Sequence, residues 1–141
     1  MIPKINFVWS DIYQYEIHKQ GIGQNDWQNC EDYAKKFITK IEPQWKKMEK
    51  KVLRYIQSLI NLKWTKKEID CYVLKISIFL PISFPLTIPI KFRSKNNVFT
   101  LSKDRFIDML IHELIHNIFI QNEKVANYFD YLINKKYKQE N

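Results

Sequence analysis

Residues 105–120 limit most strongly what this chain can fold into. Phe106, Ile107, Leu110, Ile111, Leu114, Ile115, Ile118 and Phe119 are apolar. Spaced at about 100° per residue, they leave almost no polar side on a helix. A helix of that kind belongs inside a domain. The same stretch carries His112, Glu113 and His116, which are costly to bury unless something partners them. The fold must therefore build a core around this helix and give its polar residues a partner. The chain has 141 residues, the length of one domain, and a chain of this size buries about two-thirds of its unfolded surface. Its composition, 45% hydrophobic and 15% aromatic, excludes disorder as the main state.

The remaining elements can be placed around that helix. Residues 1–20 fit a strand, through Ile5, Phe7 and Trp9, and almost as well a helix starting at Ser10. Gly21-Ile22-Gly23 marks a break, and Asp26 is a good N-cap for a helix carrying Trp27, Cys30, Ala34, Phe37, Ile38 and Ile41. Pro43 sits where it can open a second helix. That helix would carry Trp45, Met48, Val52, Ile56, Leu59 and Ile60 on one side and Lys46, Lys47, Lys50, Lys51 and Arg54 on the other. After Thr65 the pattern turns to strands, at 72–80, 88–92 and 98–101, with Ser94-Lys95-Asn96-Asn97 as a turn. Pro81, Pro85 and Pro89 are expected at strand ends or on an edge. The fold class is α+β. A small antiparallel or mixed three-stranded sheet would pack on the buried 105–120 helix, on a last helix from about Glu123 to Lys136, and on N-terminal helices. Residues 1–141 form a single domain, with 1–65 mainly helical.

His112-Glu113-Leu114-Ile115-His116 is an H-E-x-x-H sequence. Residues four apart on a helix lie about 40° apart around it and one turn along. The two histidines therefore project together and can share one tetrahedral zinc ion. Glu113 points about 100° away, flanks the metal without binding it, and can take a proton from a metal-bound water. A hydrolytic zinc usually has three protein ligands and one open position. For the third ligand His18 is the other histidine, Asp108 shares the face of His112, and Glu123 is the most attractive. On a straight helix Glu123 would lie seven residues past His116, about 10 Å along the axis, so the helix must stop. Gln121-Asn122 is where it can do so, with Asn122 capping a new helix. Asn127, and Asp130 a turn further on, would then be placed to orient a ligating histidine.

Residues 110–118 resemble the zinc signature of the zincin metallopeptidases. Phe119 and Asn122 stand where the metzincin pattern has Gly and a third His. The chain looks more like the gluzincins, in which a helix of the form E-x-x-x-D follows; here Glu123…Asn127 gives E-x-x-x-N. Three strands, a zinc helix and a glutamate helix in so short a chain resemble the minigluzincins, small soluble archaeal minimal-scaffold metallopeptidases, over residues 70–136. Glu123, Ala126, Asn127, Tyr128 and Phe129 give a weaker similarity to the ImmA/IrrE-like peptidases. The resemblance implies peptide-bond hydrolysis on one zinc per chain. A peptide or unfolded protein would be the substrate, extended along an edge strand, 98–101 or 88–92. Tyr128, Tyr131, His18 and Arg105 are the candidates for stabilising the oxyanion. It also implies that the enzyme can be latent, with residues 1–20 or 137–141 covering the cleft.

Charge supports a rival reading. The chain has 23 Lys and Arg against 15 Asp and Glu, net +8. The basic helix face, extended by Lys63, Lys66 and Lys67 and flanked by Trp45 and Trp64, could grip nucleic acid or another acidic partner. A third class is a catalytically inactive zinc-binding protein, against which Glu113 argues. Cys30 and Cys71 form no C-x-x-C pair and are expected as small buried hydrophobes. No apolar run is long enough for a signal peptide or a membrane span, so the expected location is the cytoplasm.

Overall fold

The N-terminal twenty residues form both of the elements their pattern allows. In the computed structural model, which describes residues 1–20, 28–122 and 131–136, β1 (Lys4–Val8) is followed by α1 (Asp11–His18). Ser10 caps α1 by accepting a hydrogen bond from the Tyr13 N–H. Next come α2 (Cys30–Ile60), β2 (Glu68–Ser77), β3 (Ile82–Ser83), β4 (Leu86–Ser94), β5 (Asn97–Thr100) and α3 (Lys103–Gln121). Residues 131–136 are also helical, and exposed.

The class is α+β with a mixed sheet, but the sheet has five strands and not three. β1, β2 and β4 are parallel neighbours, and β3 and β5 both pair antiparallel with β4. Of the two extra strands, β1 has a local signal that fits a strand or a helix almost equally, and β3 has none. β1 is fixed by pairing Lys4 with Glu68 and Val8 with Tyr72, far away in sequence, and β3 has only two residues. Pro89 lies inside β4, opposite Leu74 of β2, and not at a strand end. On the outer side of β4 it falls between the last residue paired by β3, Thr87, and the first paired by β5, Lys91. The ladder is interrupted there, so a strand can hold a proline. The Ser94–Asn97 turn is where the sequence places it, with Lys95 at positive φ.

Alternation along the strands divides the core between two faces. Ile69, Cys71, Val73, Leu86, Ile88 and Ile90 face α2 and α3, and join Ile5, Ala34, Ile41, Trp45, Leu53, Phe106, Leu110, Leu114 and Ile118 in one cluster. Leu74 and Ile76 face the other way, where Ile17 and Tyr13 of α1 cover them, and Tyr13 Oη lies 2.8 Å from Thr87 Oγ1. Burial on both faces explains the nearly continuous apolar run of β2 and β4. Gln14, fully buried, accepts from the Lys75 N–H and donates to the Ile76 carbonyl. It thus serves β2 where β1 has ended.

α2 is one helix of 31 residues with Pro43 inside it, and not two helices divided there. An interior proline costs about 3 kcal/mol. Ile41, Trp45, Leu53 and Ile56 of the same helix are buried, at about 1.5–3 kcal/mol each, which outweighs that cost. The helix stops at Asn61, a residue that tolerates the left-handed conformation it adopts. The Asp26 cap lies outside the described residues; Asn29 precedes the first turn. Cys30 and Cys71 are buried and free, and burial pushes the Cys71 thiol pKa up. No described helix is long and apolar enough to cross a membrane.

Candidate metal centre

α3 begins as its sequence asks. Ser102 accepts from the Arg105 N–H, and Asp104 stands in the first turn. Phe106, Ile107, Leu110, Leu114 and Ile118 turn to the core. Phe37 of α2 meets Phe106 with ring centroids 5.0 Å apart, and Gln44 donates to Asp104 across the same helix pair. The helix also ends where expected. Asn122 donates to the Ile118 carbonyl and to the Lys63 carbonyl, and Gln121 accepts from the Thr65 N–H. Asn122 thereby closes α3 and ties it to the segment entering β2.

The polar residues are placed differently from expectation. A helix apolar almost all round was expected to bury its histidines; instead His112 and His116 are exposed and Glu113 is buried. The reason is geometric. The sheet and α2 together cover the side of α3 centred on Leu110 and Leu114, and the two histidines lie roughly opposite that side. Glu113, about 100° further round, is carried towards the covered side, as is Asn117 four residues on.

His112 and His116 face one point. Their Nε2 atoms are 3.2 Å apart and their ring centroids 4.8 Å apart. Two nitrogens at the usual 2.0–2.1 Å from one zinc ion and 3.2 Å from each other subtend roughly 100° at the metal. That is near the tetrahedral angle, so the separation is compatible with a shared cation, as it is with a hydrogen bond from one ring to the other. Glu113 Oε1 lies 4.0 Å from His112 Nε2. Its carboxyl pKa is raised, chiefly by burial, with His112 and His116 pulling it partly back. A carboxyl held above its ordinary range is better matched to proton transfer near neutral pH.

Among the described residues no group of three His, Cys, Asp or Glu side chains could hold a metal ion. Asp108 is exposed one turn before His112 and does not complete such a group. His18 is excluded by topology: it lies on α1, against the face of the sheet opposite α3. Its Nδ1 meets the Gln14 carbonyl. Glu123, Asn127, Tyr128 and Asp130 lie outside the described residues. Tyr131 is 60% exposed, and Arg105 is exposed in the first turn of α3.

One residue the sequence reading passed over is Asn117. It is buried, donates to the Ser83 carbonyl at 2.7 Å and accepts from Gln121. It therefore fixes the histidine-bearing turn of α3 against β3. Its only signal in the sequence is a polar residue at a core position of an apolar helix. Of the two expected substrate edges, 88–92 belongs to β4, which is paired on both sides. β5 is exposed along its whole length. Residues 1–20 place β1 in the sheet and α1 on its opposite face and so do not form a cover over this face; residues 137–141 lie outside the described ones.

The basic face is also altered. Lys46 turns to the Ile5 carbonyl and Glu49, while Lys47, Lys50, Lys51 and Arg54 are exposed. Trp45 and Trp64 are in the core, donating to Glu49 and to the Leu53 carbonyl, and are not free to stack on a base. Compared with protein-family models, curated proteins and solved structures, the chain matches none.

Proposed function

We propose that the chain is a zinc-dependent metallopeptidase of the gluzincin type, acting in the cytoplasm on peptides or unfolded proteins. The observation that carries this reading is the convergence of the His112 and His116 Nε2 atoms at 3.2 Å on an open helix face. In the next position Glu113 is buried, with a raised proton affinity. Zinc bound there would supply Lewis acidity towards a peptide carbonyl and a water. His112 and His116 would hold it, and Asn117 keeps their turn of α3 fixed on β3. Glu113 accepts the proton of the attacking water on its carboxylate and passes it to the leaving nitrogen. On this reading Glu123 is the third ligand, Asn127 and Asp130 orient the ligating groups, and Tyr128 or Tyr131 steadies the oxyanion. The open strand β5 offers backbone groups to an extended substrate. The tail, 137–141, is the segment that would keep a minigluzincin-like enzyme latent.

The test is cleavage of an unfolded protein by the wild-type chain and by Glu113→Ala, with the metal content of both determined. The expected result is one zinc in each and cleavage only by the wild type. Undiminished cleavage by the variant refutes Glu113 as the base. Wild-type protein that takes up zinc and cleaves nothing, with the tail removed or present, supports the inactive zinc-binding reading instead. A second reading, a binder of nucleic acid or other acidic partners, has the exposed cations Lys47, Lys50, Lys51 and Arg54 in its favour. A salt titration of DNA binding decides it, since phosphate contacts weaken steeply with salt.

A further inference from the structure

Beside the histidine pair the surface of α3 leads into a groove. Ile111 and Ile115 each stand one residue before a histidine, about 100° round the helix, and are half-buried. Opposite them the second half of α2 presents Met48, Val52, Tyr55 and Leu59, and the groove between the helices measures about 760 Å³. Clefts that hold ligands commonly measure about 300–1,000 Å³ and are mostly apolar. Tyr55 and Leu59 are 66% and 68% exposed. Leu59 was expected in the core, yet it stands on the groove wall with its apolar surface in water.

The charge along this groove has one sign. Lys51 and Arg54 line it, and among the described residues no acidic one does. In the first half of α2, Lys35 and Lys36 pair with Glu31 and Asp32 one turn away, and Lys46 pairs with Glu49. Neither Lys51 nor Arg54 has such a partner among the described residues. The groove therefore complements an occupant that is apolar and acidic together. Its α3 wall, Ile111 and Ile115, is about 100° round the helix from His112 and His116, so a chain lying across the histidines can drop side chains into it.

We propose that the groove between α2 and α3 holds the side chains of the peptide substrate and selects segments in which large apolar residues stand beside acidic ones. The role as a substrate groove rests on the peptidase reading, but the selectivity can be measured without turnover.

Two fluorescent peptides of equal length are compared, one with Leu and Phe flanked by Glu, the other with the same residues flanked by Lys. Each is titrated with the full chain carrying Glu113→Gln and followed by anisotropy. The Glu-flanked peptide binds about tenfold more tightly, and Lys51→Glu with Arg54→Glu reverses the preference. Leu59→Asp weakens both peptides about tenfold. All three positions are exposed, and thermal melts confirm that the variants fold. Equal binding of the two peptides, or binding unchanged by these substitutions, overturns the proposal. So does self-association that Leu59→Asp abolishes without any peptide bound, which would make a second copy the occupant. Cleavage is scored separately on the wild-type chain. Selective binding without cleavage refutes the peptidase reading and leaves the groove's selectivity standing, whereas cleavage without preference refutes the groove alone.

Discussion

Glu49 on α2 and Glu113 on α3 are buried to the same degree, 8% exposed each, and their surroundings treat them in opposite ways. Glu49 Oε2 accepts from Trp45 Nε1 at 2.6 Å, from Lys46 Nζ at 3.2 Å and from the Ile5 N–H at 3.4 Å. Those bonds join the middle of α2 to β1 and compensate the carboxylate for its lost water. The nearest basic group to Glu113 among the described residues is His112 Nε2, at 4.0 Å. With so little compensation, burial raises its pKa. A carboxylate with three donors serves the fold. One that is buried, weakly partnered and next to two convergent histidines has the marks of a reactive group.

The contrast can be broken in several ways, and catalysis should show the largest effect. Glu113→Ala should lower peptide cleavage by about 10²–10⁴-fold, the usual worth of a general base, while Glu49→Gln should leave the rate of the folded protein near that of wild type. Comparable losses in the two variants would erase the distinction. Stability should show the reverse order. Glu49→Ala strands the Trp45 Nε1–H and the Ile5 N–H, and should cost about 1–3 kcal/mol in denaturant unfolding. Glu113→Gln should cost nothing or stabilise.

The smallest effect is a pH dependence, read on chelator-treated protein. The folded-state pKa of Glu113 is raised, so ionising it costs folding stability. That cost is complete above the folded pKa and absent below the unfolded value, near 4.3. Glu113→Gln should therefore melt slightly above wild type at neutral pH. The gap should close as the pH falls through the carboxylate range. A gap that widens towards acid would mean that Glu113 is held ionised, like a paired carboxylate.

Features written in neighbouring residues were legible in the sequence. The extent of α3, its end at Asn122 and the 94–97 turn depend on contacts within a few positions. Features settled by distant partners were not. The alternation of Ile5, Phe7 and Trp9 allowed a strand, but that β1 joins the sheet at all depends on Lys4–Val8 meeting Glu68–Tyr72, far away in sequence. Pro43 reads as a helix start, but the buried residues on both sides of it keep α2 whole. The H-E-x-x-H motif was legible as a pair of adjacent imidazoles, which helix geometry alone requires. Which of its residues would be buried was not, because an apolar pattern that runs all round a helix does not say which side the sheet takes. The same uncertainty hid the groove, whose Leu59 and Ile115 read as core residues and instead form its walls.

The central claim is that His112 and His116 hold one metal ion together. Its most direct measurement is zinc binding to the full chain by calorimetry, beside His112→Ala and His116→Ala, with melting followed in the same samples. The account predicts one zinc per wild-type chain, a rise in melting temperature on binding, and at least a tenfold loss of affinity in either variant. Zinc bound equally well by all three proteins, or by none of them, would contradict it.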